Sequence, residues 1–472
     1  MSHRSHGRLV GKVDRAAVKL LEDKGAGIAA LLPAQRVRQA MSDEGVHCRN
    51  CLFTPLLTLW MFLAQALSRD GSCREAVAKL LASLASQDSA AADEVSPQTG
   101  PYCKARKRLP EGLISRLARE SGQELHAGSA GELLLGGRPV KIVDGTTVSM
   151  PDTPANQKQW PQARTQKPGL GFPIARLVVI MSLGCAAVLD MAMGPYKGKQ
   201  TGETALLRTL LCGLKAGDIL LADRYYASYW LIATLLGQGV DSLFRQHHLR
   251  KIDFRSGLRL GHDDHQIVLT RPAQRPEWMD KATYQRMPPT LTVRELRLKV
   301  EQRGFRVRTL VLVTTLLDAQ LYSKQELSDT FRLRWHIELD LRAIKQTMDM
   351  SVLRCKTPEM VRKEIWMKLL AYNLVRTTMA QAAQESGLQP REISFTGALQ
   401  TINAFAPMLQ QTRASDQAAL IRVILRAMAA HRVSDRPDRY EPRAVKRRAK
   451  PIALLTVPRE QARRRLVSAK AA

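Results

Sequence analysis

Two short apolar runs, each followed by an aspartate, constrain the fold of this chain more than any other feature. PVKIV (139–143) precedes Asp144, and DILLA (218–222) precedes Asp223. Short apolar runs of this kind predict buried strands. A carboxylate that ends a buried strand is held on a rigid element at the edge of a sheet, which is where a site needs its ligands. Each aspartate could equally cap the turn that follows, so both interpretations stay open at this point.

The neighbouring segments predict an α/β fold. Apolar runs at 174–179, 185–193, 240–244 and 309–314 predict further strands, and helical patterns cover 203–214 and 230–236. A succession of strands and helices of this kind predicts a mixed sheet with helices packed on it. Alternating polar and apolar residues at 250–306 predict a β-rich insertion. Helical patterns dominate 15–125 and the chain after 323, with further helices at 357–382 and 415–430.

These patterns divide the chain into five predicted regions. They are an N-terminal helical domain (1–130), the first part of an α/β core (131–245), a β-rich insertion (246–307), the second part of the core (308–385) and a C-terminal helical region with a basic tail (386–472).

The charge of the chain restricts its partners. Lys and Arg number 72 against 43 Asp and Glu, a net charge of +29. Such a surplus repels itself unless a polyanion neutralises it, so nucleic acid is the first candidate and an anionic membrane surface the second. The patch Tyr102–Arg108 and the tail from Arg436, with 12 basic and 3 acidic residues, could contact a DNA backbone or be ordinary solvated charge.

A membrane span or a secretory signal is not expected. The uncharged stretches 50–68 and 393–412 are too short or too polar for the roughly 20 apolar residues of a span. The first fifteen residues have no apolar core of the kind a signal peptide needs. Seven scattered cysteines fit reduced thiols, so a cytoplasmic protein is predicted.

A third carboxylate lies in the stretch FRLRWHIELDLRAIK, which is predicted to belong to one long helix from Ser323 to Asp349. At helical spacing, an aromatic, two cations and a carboxylate fall within a stripe about 60° wide, beside an apolar stripe that could dock the helix on the sheet. The four residues of the polar stripe are Phe331, Arg334, Glu338 and Lys345.

Convergence of Asp144, Asp223 and Glu338 would need a cation. Two charges 4 Å apart repel by on the order of 4 kcal/mol at an effective dielectric of 20. Oxygen-only ligands suit Mg²⁺ or Mn²⁺, and two such ions can activate a water and stabilise the leaving oxygen of a phosphodiester. Arg334 and Lys345 would then hold DNA phosphates beside the metal ligands.

The residues resemble the insertion sequence 4 family of DDE transposases. That family carries a Tyr-(2)-Arg-(3)-Glu-(6)-Lys signature, and the same spacing here has Phe331 in place of the Tyr. VDGTT around Asp144 is similar to the family's first-Asp motif, and LLADRYYAS around Asp223 to its second. The segments Leu312–Asp318, Leu369–Arg376 and Glu441–Pro451 add to the likeness.

The resemblance implies an RNase H-like core, interrupted by a β-rich insertion between the second Asp and the Glu. It implies Asp144, Asp223 and Glu338 as catalytic residues and ligands of two Mg²⁺ or Mn²⁺ ions. Phe331, Arg334, Lys345 and Arg224 are expected at DNA phosphates, although a Phe has no hydroxyl to offer.

The resemblance also implies a bacterial, nucleoid-associated homodimer. Its N-terminal helical domain (1–130) would be a DNA-binding domain that recognises the element's terminal inverted repeats. The enzyme would cut and join double-stranded DNA at these repeats and at the target. Some relatives stack a flipped base on a Trp near the insertion, and Trp278 could serve here or simply pack. The alternative function is a catalytically inactive or nuclease-only basic DNA-binding protein, which would bind DNA in a salt-sensitive way without strand transfer.

Overall fold

The computed structural model describes residues 32–46, 51–86, 92–93, 95–129, 134–299, 309–412, 414–433 and 455–470. The predicted features at 1–31, 300–308 and 434–454, including the Glu441–Pro451 motif, lie outside the described residues.

The described part of the N-terminal region is helical, as predicted. The second helix is apolar nearly all round, and it packs against the third and fourth helices and against a long helix of the core. Its start is fixed by Thr54, whose hydroxyl accepts from the backbone N–H of Leu57 at 3.3 Å. The helices are α1 (Ala34–Asp43), α2 (Pro55–Leu67), α3 (Cys73–Ala85), α4 (Gly100–Arg108) and α5 (Glu111–Gly128).

A mixed sheet forms the centre of the molecule. Its strand order is β4-β3-β2-β5-β6-β10-β9-β8-β7, and β1 pairs with β2 beside this path. Strands β2, β5 and β6 are parallel to one another, whereas β3 and β4 form the predicted hairpin. The strands are β1 (Leu134–Leu135), β2 (Arg138–Ser149), β3 (Ile174–Ser182), β4 (Val188–Pro195), β5 (Ile219–Ala222), β6 (Asp241–Arg245), β7 (Leu258–Gly261), β8 (Asp264–Thr270), β9 (Thr290–Lys299) and β10 (Thr309–Thr314).

Apolar clusters cover both faces of the central strands, and side chains alternate between the two faces along each strand. Ile142 and Leu221 point to the larger apolar cluster, which also contains the long core helix. Val143 and Leu220 point to the smaller cluster on the other face. The helices between the strands are α6 (Pro154–Gln159), α7 (Glu203–Arg208), α8 (Tyr229–Gly237) and α9 (Lys281–Arg286), with 3₁₀ turns at Leu211–Gly213 and Arg224–Tyr226.

The segment predicted as an insertion is β-rich where it is described. Strands β7, β8 and β9 form an antiparallel set, and β9 pairs with β10 over six residues. Since β10 also pairs with β6, these strands extend the central sheet.

The prediction of one long helix from Ser323 to Asp349 is wrong. Two helices replace it, α10 (Lys324–Arg332) and α11 (Trp335–Arg342), followed by a π turn at Ala343–Thr347. At the break, the N–H of Arg334 bonds to the carbonyl of Phe331, three residues back rather than four. This tighter winding, which needs neither Gly nor Pro, turns the second helix relative to the first.

Four helices follow the π turn, and the first three of them contribute to the larger apolar cluster. They are α12 (Pro358–Glu385), α13 (Phe395–Gln411), α14 (Ala414–Ala430) and α15 (Arg459–Lys470), with a 3₁₀ turn at Pro390–Glu392. The polar stretch 393–412 folds as α13 despite the internal Pro407. Within the described ranges, none of the helices combines the length and apolar character that crossing a membrane requires.

Candidate functional site: a carboxylate cluster at the sheet edge

Asp144 and Asp223 lie next to each other on parallel strands. The β2–β5 pairing ends with Ile142 opposite Leu221, so each aspartate is two residues beyond the last pair. Residues two apart point to the same face, and neighbouring strands are about 4.8 Å apart. The two carboxylates therefore project from adjacent positions on the face that carries the larger apolar cluster.

Asp144 does not end its strand, contrary to the prediction. Strand β2 continues to Ser149 because β3 remains paired with it, from Asp144 opposite Val179 to Ser149 opposite Ile174. Only the β5 side of β2 is open beyond Ile142. This one-sided opening leaves room for side chains beside Asp144.

The turn-capping interpretation does not hold for Asp223. The residue precedes the turn Arg224–Tyr226, yet within the described chain its side chain makes no capping hydrogen bond to that turn. In Asp144, Oδ1 accepts from the N–H of Gly145 at 2.8 Å. Neither carboxylate is therefore fully used by local backbone structure.

Helix α11 brings Glu338 to the same face. The helix contacts β2, and its residues Ile337 and Leu341 belong to the apolar cluster that contains Ile142. Glu338 Oε1 accepts from Arg334 Nη2 at 3.1 Å, and its side chain is 40% exposed. The carboxylate thus lies at the rim of the core with an arginine as its present partner.

The electrostatics of Asp144 connect these groups. Burial, together with the carboxylates of Glu203 and Glu338, raises the pKa of Asp144 to about 6. The Gly145 N–H and the Arg334 guanidinium act on this pKa in the opposite direction. Glu203 and Glu338 are therefore both near enough to Asp144 to disfavour its charged form.

Glu203 is a further carboxylate near Asp144, and it is not among the site residues predicted from the sequence. It is the first residue of α7, and its carboxylate lies against the backbone of β2. A Cβ at Gly145 would come within 2.5 Å of Glu203 Oε1, so only glycine admits this approach. The VDG sequence was the available signal, since a glycine within a strand often marks a close approach.

Tyr226 links Glu203 to the second aspartate. Its hydroxyl donates to Glu203 Oε2 at 3.4 Å, and its ring is buried three residues after Asp223. Burial, followed by the charge of Glu203, raises the pKa of Tyr226 well above its usual value. Asp144 and Asp223 also raise this pKa, so the tyrosine is close to three carboxylates.

A buried ion network fixes α11. Asp340 accepts from Arg376 Nη2 at 2.7 Å and from Arg391 Nη2 at 3.0 Å, and it is almost completely buried. Arg376 belongs to α12, and Arg391 also donates to the carbonyl of Leu183 in the β3–β4 turn. The helix that carries Glu338 is therefore tied both to a neighbouring helix and to the sheet.

The other predicted site residues are placed differently from one another. Arg224 is exposed directly after Asp223, and Lys345 is half-buried in the π turn. Phe331 lies in the larger apolar cluster with 7% of its surface exposed, so its ring packs rather than facing solvent. The guanidinium of Arg208 covers the Trp278 ring at 3.9 Å from its centroid, where a stacking base would compete with it.

The basic patch Tyr102–Arg108 is only partly a surface. Arg106 is buried, donates to Gln65 and Cys73, and lies over the Phe62 ring at 4.2 Å. Its charge is used inside the protein and is not available to DNA, whereas Lys104 and Lys107 are exposed.

The carboxylates fit a hard divalent ion by chemistry, because all of their donor atoms are oxygens. In the described residues no three Asp, Glu, His or Cys side chains stand close enough together to hold an ion as they are. The Glu338 carboxylate instead forms an ion pair with the Arg334 guanidinium. A partly exposed ion pair of this kind is worth roughly 0–1 kcal/mol, so an incoming ion could displace it at little cost.

The chain is similar to known transposases. A family profile described as "Transposase DDE domain" matches residues 135–374. The transposase InsG for insertion sequence element IS4 of Escherichia coli K12 is 28% identical over 435 residues, which cover 88% of this chain and 91% of InsG. The putative transposase InsZ of the same organism is 28% identical over 139 residues, which cover 29% of this chain and 46% of InsZ.

Among solved structures, a piggyBac transposase synaptic complex with hairpin DNA aligns with 86% of this chain and 84% of its own, at 8% identity and a TM-score of 0.42. The family profile spans the strands and helices that carry Asp144, Asp223 and Glu338. The chain therefore belongs to the DDE transposases, enzymes that act on DNA, and the predicted membership of the insertion sequence 4 family is confirmed.

Proposed function

We propose that this transposase binds the terminal inverted repeats of its own element and cuts and rejoins DNA with Mg²⁺ or Mn²⁺. The observation that carries the proposal is the parallel register of β2 and β5, which supports the adjacency of Asp144 and Asp223 beneath the Glu338 helix. The first strands and α11–α12 would form the RNase H-like core that the family implies, with the β7–β9 segment as its insertion.

Each carboxylate has a proposed role as a ligand. Asp144, Asp223 and Glu338 would hold two divalent ions, which, when bound, activate a water or a 3′-hydroxyl and stabilise the leaving oxygen. The raised pKa of Asp144 means that this carboxyl binds a proton readily while the ions are absent, and it loses that proton when an ion binds. The Asp340 network orients Glu338, and Glu203 adds negative charge on the opposite side of β2.

Three cations are proposed to hold DNA phosphates at the cluster. Arg334 exchanges Glu338 for a phosphate, and Arg224 and Lys345 contact phosphates on either side. Phe331 supports α10 by packing, as its burial suggests. The active species is proposed to be a homodimer in the bacterial cytoplasm, associated with the nucleoid, with the five regions divided at 130, 245, 307 and 385.

The test is Glu338→Gln, which keeps the size of the side chain and removes its charge. The variant should bind inverted-repeat DNA as the parent does and lose cleavage by on the order of a thousand-fold or more in Mg²⁺, as expected when a residue essential for transition-state stabilisation is lost. Glu326→Gln, a change at the exposed N-terminal capping box of α10, is the matched control and should retain cleavage. Undiminished cutting by Glu338→Gln would contradict the proposal.

The alternative functions are separated by the products. A nuclease-only protein would nick the repeats without joining them to target DNA, and an inactive protein would bind without nicking in any metal. A strand-transfer assay with pre-cleaved ends, run beside a nicking assay, distinguishes all three, because the transposase alone joins the ends.

A further inference from the structure

A row of exposed cations begins beside the carboxylate cluster. The loop 196–202 connects β4 to Glu203, and it carries Lys197 and Lys199, both exposed. Arg176 holds the loop by donating to the carbonyl of Thr201 at 2.7 Å. Glu203 lies against Gly145, which follows Asp144 on β2, so this loop leads away from the strand that carries Asp144.

A backbone hydrogen bond brings the start of this loop next to the end of a second basic segment. The N–H of Tyr196 bonds to the carbonyl of Ile174, which follows the segment 158–173. That segment presents the exposed side chains of Arg164 and Lys167. Within the described residues, neither these two nor Lys197 and Lys199 form an ion pair, so their charges are not neutralised there.

Helix α15 extends the same surface. Arg459 at its start pairs with Asp152 at 2.8 Å and lies over the Phe172 ring at 4.3 Å. Beyond this first turn the described side chains of α15 are exposed, apart from Ala462. A helix of about 12 residues with so little packing is marginal in water, so it needs a partner.

The charge of α15 selects the kind of partner. Arg463, Arg464 and Arg465 follow one another, and the single carboxylate of the helix, Glu460, pairs with Arg464 at 3.2 Å. Arg463 and Arg465 therefore remain to neutralise anions, and they do so on roughly opposite flanks of the helix because they are two residues apart. A polyanion that reaches both α15 and the carboxylate cluster must be long, and a DNA strand is the polyanion on which this enzyme acts.

Two exposed aromatic rings line the path. The Arg176 guanidinium lies 4.9 Å from the centroid of the Tyr196 ring, and the Arg459 guanidinium lies 4.3 Å from the centroid of the Phe172 ring. Arginines interleaved with exposed aromatic rings are typical of surfaces that follow a nucleic-acid backbone. Tyr196 belongs to the loop 196–202 and Phe172 contacts the first residue of α15, so each of these two basic segments has an exposed ring beside it.

We propose that Arg164, Lys167, Lys197, Lys199, Arg463 and Arg465 form one phosphate-binding track that guides a DNA backbone from α15 to the carboxylate cluster. This inference rests on the proposed function for its DNA substrate and for the identity of the cluster. The carboxylates alone give no information on the path of the DNA, and the track assigns that path.

The salt dependence of DNA binding tests the track. The full-length variants Lys197→Ala/Lys199→Ala and Arg463→Ala/Arg465→Ala are compared with Arg422→Ala/Arg426→Ala, which removes two exposed cations from α14. Each lost phosphate contact lowers the slope of log affinity against log salt by about 0.9. A track variant that loses two contacts should therefore show a slope smaller by about 1.8 and bind roughly 60-fold more weakly at 0.1 M salt. The α14 control should keep the parent slope.

The outcomes separate this inference from the proposed function. Unchanged slopes in both track variants, while Glu338→Gln loses cleavage and keeps binding, would overturn the track and leave the transposase chemistry intact. The α15 variant could keep the parent slope while Leu466→Ser/Val467→Ser changes the oligomeric mass of the protein. That result would overturn the α15 part of the track and assign α15 to contact with a second copy. Melting curves by circular dichroism verify that the surface variants are folded.

Discussion

Replacing Asp144 with asparagine should stabilise the metal-free protein at neutral pH. Burial raises the pKa of this carboxyl to about 6, against 3.8 for the free side chain. At 1.36 kcal/mol per pKa unit, holding the charged form in place costs the folded state about 3 kcal/mol. The asparagine side chain is neutral at every pH and similar in shape, so this cost disappears in the variant.

The sign of the pH dependence follows from the raised pKa. The neutral form favours the folded state, so the wild-type benefit is complete below the unfolded pKa and is lost as the pH rises through about 6. The advantage of Asp144→Asn should be full above pH 7, shrink by about 1.4 kcal/mol per pH unit below 6, and vanish near pH 4.

Calorimetric or fluorimetric melting in EDTA measures this difference. For a core of roughly 150–250 residues, 1 kcal/mol shifts Tm by about 2–4 °C, so Asp144→Asn should melt roughly 6–12 °C higher at pH 8. Asp329→Asn, a change at an exposed position on α10, is the control and should shift Tm little. If Asp144→Asn melts no higher than wild type at pH 8, or melts higher by the same amount at every pH, then the charged Asp144 side chain does not destabilise the folded protein as proposed.

Two further substitutions test the surroundings of the cluster. Gly145→Ala should destabilise the protein by about 1–3 kcal/mol, since its Cβ would collide with Glu203. The same change made in a Glu203→Ala background should be nearly neutral, and a double-mutant cycle of melting free energies measures that coupling. Asp340→Asn should cost about 3–5 kcal/mol, because it leaves Arg376 and Arg391 without a buried counter-charge. Denaturant unfolding checks this loss, and a cost below about 1 kcal/mol would contradict the role given to the network.

The sequence predicted the strands of the core well, because each apolar run is short and bounded by polar residues. Strand β10 has the predicted bounds, and the hairpin of β3 and β4 is confirmed. Strand β2 runs further than expected, since the polar residues after Asp144 are held by pairing with β3. Such pairing depends on a partner distant in sequence, and hydropathy does not reveal it.

The helix that carries Glu338 shows a second reason why the sequence did not predict the whole structure. The stretch 323–349 contains neither Gly nor Pro, so nothing local marked the tighter winding at Arg334 or the π turn that follows. The helical spacing nevertheless brought Arg334 and Glu338 together, because four residues of spacing survive a single tightened turn. Phe331 lies before the break, and its side chain enters the core instead.

Contacts with residues distant in the sequence also determined where charged side chains lie and what they contact. Arg106 was indistinguishable from its basic neighbours in sequence, and its burial follows from Gln65, Cys73 and the Phe62 ring. Glu203 was overlooked because one glutamate at a helix start is common. Its significance comes from Gly145, a residue far away in the chain that leaves space for it.

The most direct measurement is the position of Mn²⁺ by anomalous diffraction in crystals of the protein bound to inverted-repeat DNA. We predict anomalous peaks about 2.1 Å from oxygens of Asp144, Asp223 and Glu338, with Arg334 moved onto a phosphate. Peaks that lack any one of these three carboxylates, or Glu338 still held by Arg334 in the loaded complex, would contradict it.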